Sequence, residues 1–330
     1  MVTAEEIEEI KKKAAAHLGL DRRDFILDYE EEIWYATEVD KLSDIIMGQV
    51  TQLPDVKLGA KTHGTVCVSA APVRSKPAHS SEMISLLGMG EPLTLYRKRQ
   101  NWYLAAGEDG YYGYVHEAQL HVANPCWFPP TEGFDQQATV YQLDATAYQE
   151  VTRINPAFNL TLGNRVMVKA VNELVAAAKT PDGRIGYVDK ACFINPVQGK
   201  NQKEAILYWA NQLMGTPNLW GGATPKGIDC SGFTQLCFWL ATGKKLKRDA
   251  SQQAMRGPHQ TGISALQPGD LLFFGEVSGK ITHVALGLGG NRYIHASGFV
   301  RVNSLNAADA DFDPYRFQTF QYFVRVGAFV

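Results

Sequence analysis

Cys230 follows Asp229 in the run Gly227-Ile228-Asp229-Cys230-Ser231-Gly232-Phe233. Asp is a favoured helix N-cap, so Cys230 falls on the first helical position. There its sulfur faces the positive end of the helix dipole and unpaired N–H groups, a setting that lowers a thiol pKa and makes a nucleophile. The position equally suits a small buried apolar residue, which is what most free cysteines are. Phe233, Leu236, Cys237 and Leu240 follow at helical spacing, so Cys237 reads as core and Cys230 lies on or beside the face turned toward a sheet.

A cysteine nucleophile needs a base, usually histidine, and a third group to orient it. Ile281 to Leu288 alternates as a strand with His283, Ala285 and Gly287 on one face, and Arg292-Tyr293-Ile294-His295-Ala296 reads as the next strand. Gly289-Gly290-Asn291 suits a three-residue hairpin, which sets Ala285 opposite His295 and His283 diagonally on the same face. Such diagonal neighbours are about 7–8 Å apart, close enough for one imidazole to orient the other. A two-residue loop would place the histidines on opposite faces. Taken singly, each histidine is more often an ordinary core or surface residue.

These elements belong to a longer chain. At roughly 150 residues per domain, its 330 residues imply two or three domains. A composition of 45% hydrophobic and 20% charged residues excludes disorder and collagen-like repeats. The formal net charge of -2 supplies no field for a polyanion, so nucleic acid is not an expected partner. No run approaches the ~20 apolar residues of a membrane span, so no membrane partner is expected. Thr3 and Glu6 form a capping box where a leader would show a basic and then an apolar stretch. The expected location is therefore the cytoplasm, or the cell envelope if a leader has been removed. Cys67, Cys126, Cys192, Cys230 and Cys237 lack C-x-x-C pairs and read as thiols, and no metal or organic cofactor is expected.

The middle of the chain repeats itself. Asp109-Gly110-Tyr111-Tyr112-Gly113-Tyr114-Val115 recurs as Asp182-Gly183-Arg184-Ile185-Gly186-Tyr187-Val188, and the same offset carries Gly90 to Leu95 onto Gly163 to Val168. Each copy pairs a Gly-led alternating strand with an Asp-Gly hairpin signal, predicting two small all-β units. Ala71-Pro72-Val73-Arg74-Ser75, Asn101-Trp102-Tyr103 and the Asp109 to Val115 run resemble a bacterial SH3-like module. The second copy lacks the Arg-Ser start and the Trp.

Leu219-Trp220-Gly221-Gly222, Asp229 to Phe233, Arg248-Asp249-Ala250-Ser251, Pro268-Gly269-Asp270-Leu271, His283-Val284-Ala285 and His295-Ala296-Ser297 resemble the successive motifs of the NlpC-type, papain-like peptidases. With two SH3-like modules ahead, the order is most similar to the YkfC-type γ-D-glutamyl-L-diamino acid endopeptidases of murein peptide recycling. The resemblance implies a multidomain α+β protein: an N-terminal helical segment (1–60), SH3-like units at 61–124 and 125–200, and an NlpC-type domain at 201–330. It implies Cys230 as nucleophile, His283 as base and His295 as orienting residue, acting on a murein stem peptide. Trp220, Asp229, Ser231, Asp249 and Ser251 are implied to line the substrate cleft, and Glu82 with Tyr111, or Tyr112 at a one-residue slip, to read a free N-terminal amine. The family commonly has Tyr where Asn218 stands, making Asn218 a candidate oxyanion donor. The rival readings are a non-catalytic wall-peptide binding protein and a thiol acyltransferase or amidase.

Overall fold

The computed structural model describes residues 3–20, 25–30, 32–42, 44–46, 48–123, 133–134, 136–325 and 327, so Cys126 lies outside the described residues. The chain opens with α1 (Ala4–Leu18) on the expected capping box, Thr3 and Glu6 each satisfying the other's backbone N–H. Then follow β1 (Leu27–Glu30), β2 (Ile33–Ala36), α2 (Val39–Leu42) and β3 (Gln49–Gln52), with strand order β1-β2-β3. The segment expected to be helical is thus a small α+β unit. Trp34 and Tyr35 favour a pleated surface and are buried on β2, Trp34 in the same apolar cluster as Ala14 and Ala15 of α1.

The next unit holds β4 (His63–Val66), β5 (Ala70–Arg74), β6 (Met83–Gly88), β7 (Pro92–Arg99), β8 (Trp102–Ala106), β9 (Tyr112–His116) and β10 (Leu120–Val122), in the order β10-β4-β7-β8-β9-β5-β6. After it come β11 (Gln136–Thr139), β12 (Asp144–Tyr148), β13 (Pro156–Thr161), β14 (Arg165–Ala170), β15 (Val175–Lys179) and β16 (Ile185–Asp189), ordered β11-β14-β15-β16-β12-β13. Apart from the extra β10, the second sheet repeats the first strand for strand. Gly90 and Gly163, and likewise Gly110 and Gly183, all adopt positive φ, so the sequence repeat marks equivalent turns.

The last unit holds α3 (Gln202–Gln212), β17 (Ala223–Thr224), β18 (Gly227–Ile228), α4 (Cys230–Thr242), α5 (Ala250–Ala254), β19 (Leu271–Gly275), β20 (Ile281–Gly289), β21 (Arg292–Ser297), β22 (Phe299–Ser304), α6 (Pro314–Thr319) and β23 (Phe320–Val324). Its five-stranded sheet is antiparallel in the order β22-β21-β20-β19-β23. Trp209, Phe233 and Cys237 pack with Val284, Leu286 and Ile294 on one face, while Leu272, Phe274, Ala285 and Tyr293 build a second cluster. No helix among the described residues is long and apolar enough to cross a membrane.

Polar joints tie the units together. Asp28 and Glu30 of the N-terminal unit pair with Arg97 and Arg99 of the first sheet. Asn164 donates to the Ser69 carbonyl at 3.0 Å, and Arg165 pairs with Glu108 at 2.8 Å, joining the two sheets. Gln235 of α4 donates to Asp109 at 2.9 Å.

Candidate active site

Asp229 starts α4 as expected, with its Oδ1 accepting the Gly232 N–H at 2.7 Å. The same carboxylate takes the Gly221 N–H at 3.0 Å and a two-pronged pair from Arg248 at 3.0 and 2.6 Å. Arg248 is 2% exposed and also donates to Ser85 of β6 and to Ser231. It bolts the loop before α4, the start of α4 and the first sheet into one piece. Asp229 and Ser231, expected in the substrate cleft, are buried in this network beside Cys230. Tyr111 is likewise buried in the core of the first sheet, and its hydroxyl lies near enough to Arg248 to act on its charge.

Gly221 sits at positive φ, and a Cβ there would meet the Met83 carbonyl at 2.6 Å. Its absence lets the loop lie on β6 and turn Trp220 outward. Trp220 is 71% exposed and its indole N–H donates to Glu82 Oε1 at 2.8 Å. Glu82 lines a cavity of about 610 Å³ with Tyr112, Tyr114 and Lys76, to which Ile7 of α1 and Tyr29 of β1 also contribute. Tyr112 and Tyr114 line that cavity with Glu82, while Tyr111 lies in the core of the first sheet. Asp249 caps α5 in a capping box with Gln252, and Ser251 is exposed. Asn218 pairs through its backbone with Gly298, and its exposed side chain makes no hydrogen bond among the described residues.

The β20–β21 hairpin brings the histidines together by another route than expected. Its turn has two residues, Gly290 and Asn291, but a bulge between Gly287 and Gly289 restores the pairing of Leu286 with Ile294 and Gly287 with Tyr293. His283 Nε2 and His295 Nδ1 consequently meet at 2.8 Å. Beyond them stands a residue the sequence reading missed. Asn303 of β22 lies 3.1 Å from His295 Nε2 through its Oδ1, and its Nδ2 donates to the Asp311 carbonyl at 3.0 Å.

That chain fixes every proton. A carbonyl only accepts, so the Asn303 amide must point its N–H₂ at Asp311 and its oxygen at His295. His295 Nε2 then carries a hydrogen and Nδ1 is bare, so His283 donates from Nε2 and keeps a lone pair on Nδ1. The signal for Asn303 was present in the β21–β22 hairpin at Gly298, which pairs His295 with Arg301 and brings Asn303 to the same face.

Electrostatics differ from the expectation at Cys230. Burial, and after it the Asp229 carboxylate, pushes the thiol up to about 11, against the opposing pull of the Val284 backbone and Arg248. Desolvation and the Asp229 carboxylate thus oppose ionisation of the sulfur at the helix start. Burial first, then the Arg316 and His295 charges, holds His283 well below the usual imidazole value, and burial holds His295 down at about 4. As the first residue of α4, Cys230 also offers a backbone N–H that has no intrahelical acceptor. Among the described residues, no cluster of His, Cys, Asp and Glu is able to hold a metal ion.

The sequence model described as the NlpC/P60 family matches residues 215–313, and that described as bacterial SH3 domain matches residues 69–121. Over 101 residues the chain is 40% identical to the gamma-D-glutamyl-L-lysine dipeptidyl-peptidase of Bacillus subtilis (strain 168), covering 30% of this chain and 33% of that protein. Over 139 residues it is 34% identical to dipeptidyl-peptidase 6 of Lysinibacillus sphaericus, covering 39% of this chain and 48% of that protein. The chain thus spans a half or less of the length of these relatives. In fold it is similar to the crystal structure of an NlpC/P60 family protein from Bacillus cereus ATCC 10987, with a TM-score of 0.65 and 18% identity over 81% of this chain and 100% of the other. The motifs around Cys230, His283 and His295 fall inside the first matched span, and the chain carries an NlpC/P60 domain behind a bacterial SH3 domain.

Proposed function

We propose that this protein is a cysteine endopeptidase that hydrolyses the γ-D-glutamyl-L-diamino acid bond of peptidoglycan stem peptides bearing a free N-terminal L-alanine. The observation that carries this reading is the relay from Asp311 through Asn303, His295 and His283, which leaves a bare imidazole nitrogen to serve the cysteine at the start of α4. Both curated relatives are named as dipeptidyl-peptidases, one for the γ-D-glutamyl-L-lysine bond. In this reading a free amine is the substrate feature that Glu82 recognises. Its carboxylate receives the Trp220 indole N–H on one oxygen and lines the cavity with the other parts of the first sheet. Acylated or glycan-linked stems would leave that carboxylate unpaired, and sites built around a polar partner reject ligands that lack it. Such selectivity suits peptides already released from the wall, in murein peptide recycling.

In this mechanism the Cys230 sulfur attacks the γ-carbonyl carbon as its proton passes to His283 Nδ1, and the Cys230 backbone N–H holds the developing oxyanion. The imidazolium returns the proton to the leaving amine, which departs with the diamino acid. His283 then takes a proton from water, whose oxygen attacks the thioester, releasing L-Ala-D-Glu and the free thiol.

The test is product analysis by mass spectrometry with L-Ala-γ-D-Glu-meso-diaminopimelate and its N-acetylated form. Release of L-Ala-D-Glu by wild type alone, not by Cys230→Ala, and only from the free-amine peptide is the expected result. Equal cleavage of both peptides would remove the amine requirement, and no cleavage of either would overturn the peptidase.

A further inference from the structure

A positive charge stands beside the histidines without an anion of its own. Arg316 lies on α6, half-buried, with its guanidinium 5.6 Å from the Phe274 ring centre, and that ring is 5.8 Å from the His283 ring. Three other arginines of the same unit have carboxylates: Arg248 pairs with Asp229, Arg292 with Asp311, and Arg325 with Asp270. Among the described residues, none pairs with the Arg316 guanidinium. Asp313, three residues earlier, spends its Oδ1 on the Arg316 backbone N–H at 3.0 Å, capping the helix. A guanidinium held on aromatic rings at the edge of a site, with its fork unused, is suited to planar recognition of a carboxylate.

Which part of a substrate meets it follows from the proton path. His283 must reach the leaving nitrogen, so the leaving group stands on the His283 side of Cys230. The acylating half runs the other way, toward Trp220 and Glu82. In an amino acid the carboxylate is one carbon removed from the amine, so a terminal diamino acid brings its anion to the neighbourhood of His283 as its amine departs.

We propose that Arg316 binds the carboxylate of the departing diamino acid and makes the enzyme prefer stem peptides that end at that residue. The assignment rests on the peptidase reading above and adds a specificity determinant on the leaving side. Arg301 provides an internal control: it faces His295 across β21 and β22 and stacks on Phe299 at 5.7 Å, so it carries equal charge near the site from another direction.

The experiment compares L-Ala-γ-D-Glu-L-Lys as its free acid and its C-terminal amide, in wild type, Arg316→Gln, Arg316→Lys and Arg301→Gln. An ion-assisted hydrogen bond in a half-buried site corresponds to about a tenfold preference for the acid in kcat/KM, expressed in KM. Arg316→Gln is expected to cleave acid and amide with equal kcat/KM, any change in His283 basicity from loss of the neighbouring charge acting on both peptides alike. Arg316→Lys should keep part of the preference, and Arg301→Gln should keep it. Turnover of both peptides by wild type without acid preference, or a preference that survives in Arg316→Gln, would overturn the arginine site and leave the peptidase standing. Absence of turnover of either peptide by wild type would overturn the peptidase and this assignment together.

Discussion

Asn303 never approaches the scissile bond, yet it decides which nitrogen of His283 is basic. Replacing it with Leu frees His295 to adopt the other tautomer, after which His283 Nε2 has no acceptor and its protons are no longer ordered. The expected result is a fall in kcat of about a hundredfold, the low end of what a positioned base contributes, with KM little changed. An unaltered kcat in a variant that melts like wild type would refute the relay. The histidines also couple stability to pH. His295 is held at about 4 against 6.5 in the unfolded chain, so the native state refuses a proton that the unfolded state accepts. Its contribution is complete above pH 6.5 and is lost as pH falls toward 4, amounting to about 3 kcal/mol. Denaturant titrations of wild type and His295→Gln at pH 7.5 and 4.5 would reveal it as a larger acid-induced loss in wild type; parallel losses would argue against it. The helix start at Cys230 and the meeting of His283 with His295 were legible because motif spacing and strand parity are local properties. Asn303 required the register of a second hairpin. The thiol's raised pKa required its burial, and helix-end electrostatics alone gave the opposite direction.

At the scale of elements, the start of α4 is positioned by an ion pair that sequence does not reveal as one. Arg248 and Asp229 stand on either side of α4 in the chain, each within a separate motif that gives no sign of the other. Their bidentate contact at 3.0 and 2.6 Å is nearly solvent-free. Removing one partner of such a pair strands the other charge, so Arg248→Met should cost about 3–5 kcal/mol in urea unfolding. Asp229→Asn combined with Arg248→Met should cost less than the sum of the two single changes. Strict additivity in that cycle would show that the pair does not hold the element. The β20–β21 turn teaches a related point. Counting residues predicted three in the loop, the structure uses two and a bulge, and the facing of the histidines is the same because both solutions insert one residue.

Across the whole molecule, Glu82 beside the first sheet meets Trp220 of the last unit, and the N-terminal unit contributes Ile7 and Tyr29 to the cavity that Glu82 lines. Glu82→Gln keeps an oxygen for the indole N–H and removes only the charge. It should raise KM for the free-amine tripeptide by about tenfold with kcat nearly constant, the scale of a charge-assisted hydrogen bond. An unchanged KM would refute the proposed role of Glu82. The internal repeat announced two similar sheets, while the strands at β1 to β3 went unread because short aromatic runs beside a helix carry little periodicity of their own.

The buried Arg248 has a practical and historical corollary. Its guanidinium reaches Ser85, Gln235 of α4 reaches Asp109, and Lys245 reaches Glu91 at 2.5 Å, each across the boundary between the first sheet and the last unit. Severing the chain near residue 200 would therefore not release an autonomous module. It would open a seam of cations and amides built for one particular neighbour, so an excised C-terminal piece should be prone to aggregation. Exchange of the front sheet for a foreign one in the course of evolution would demand matching changes at all three positions at once.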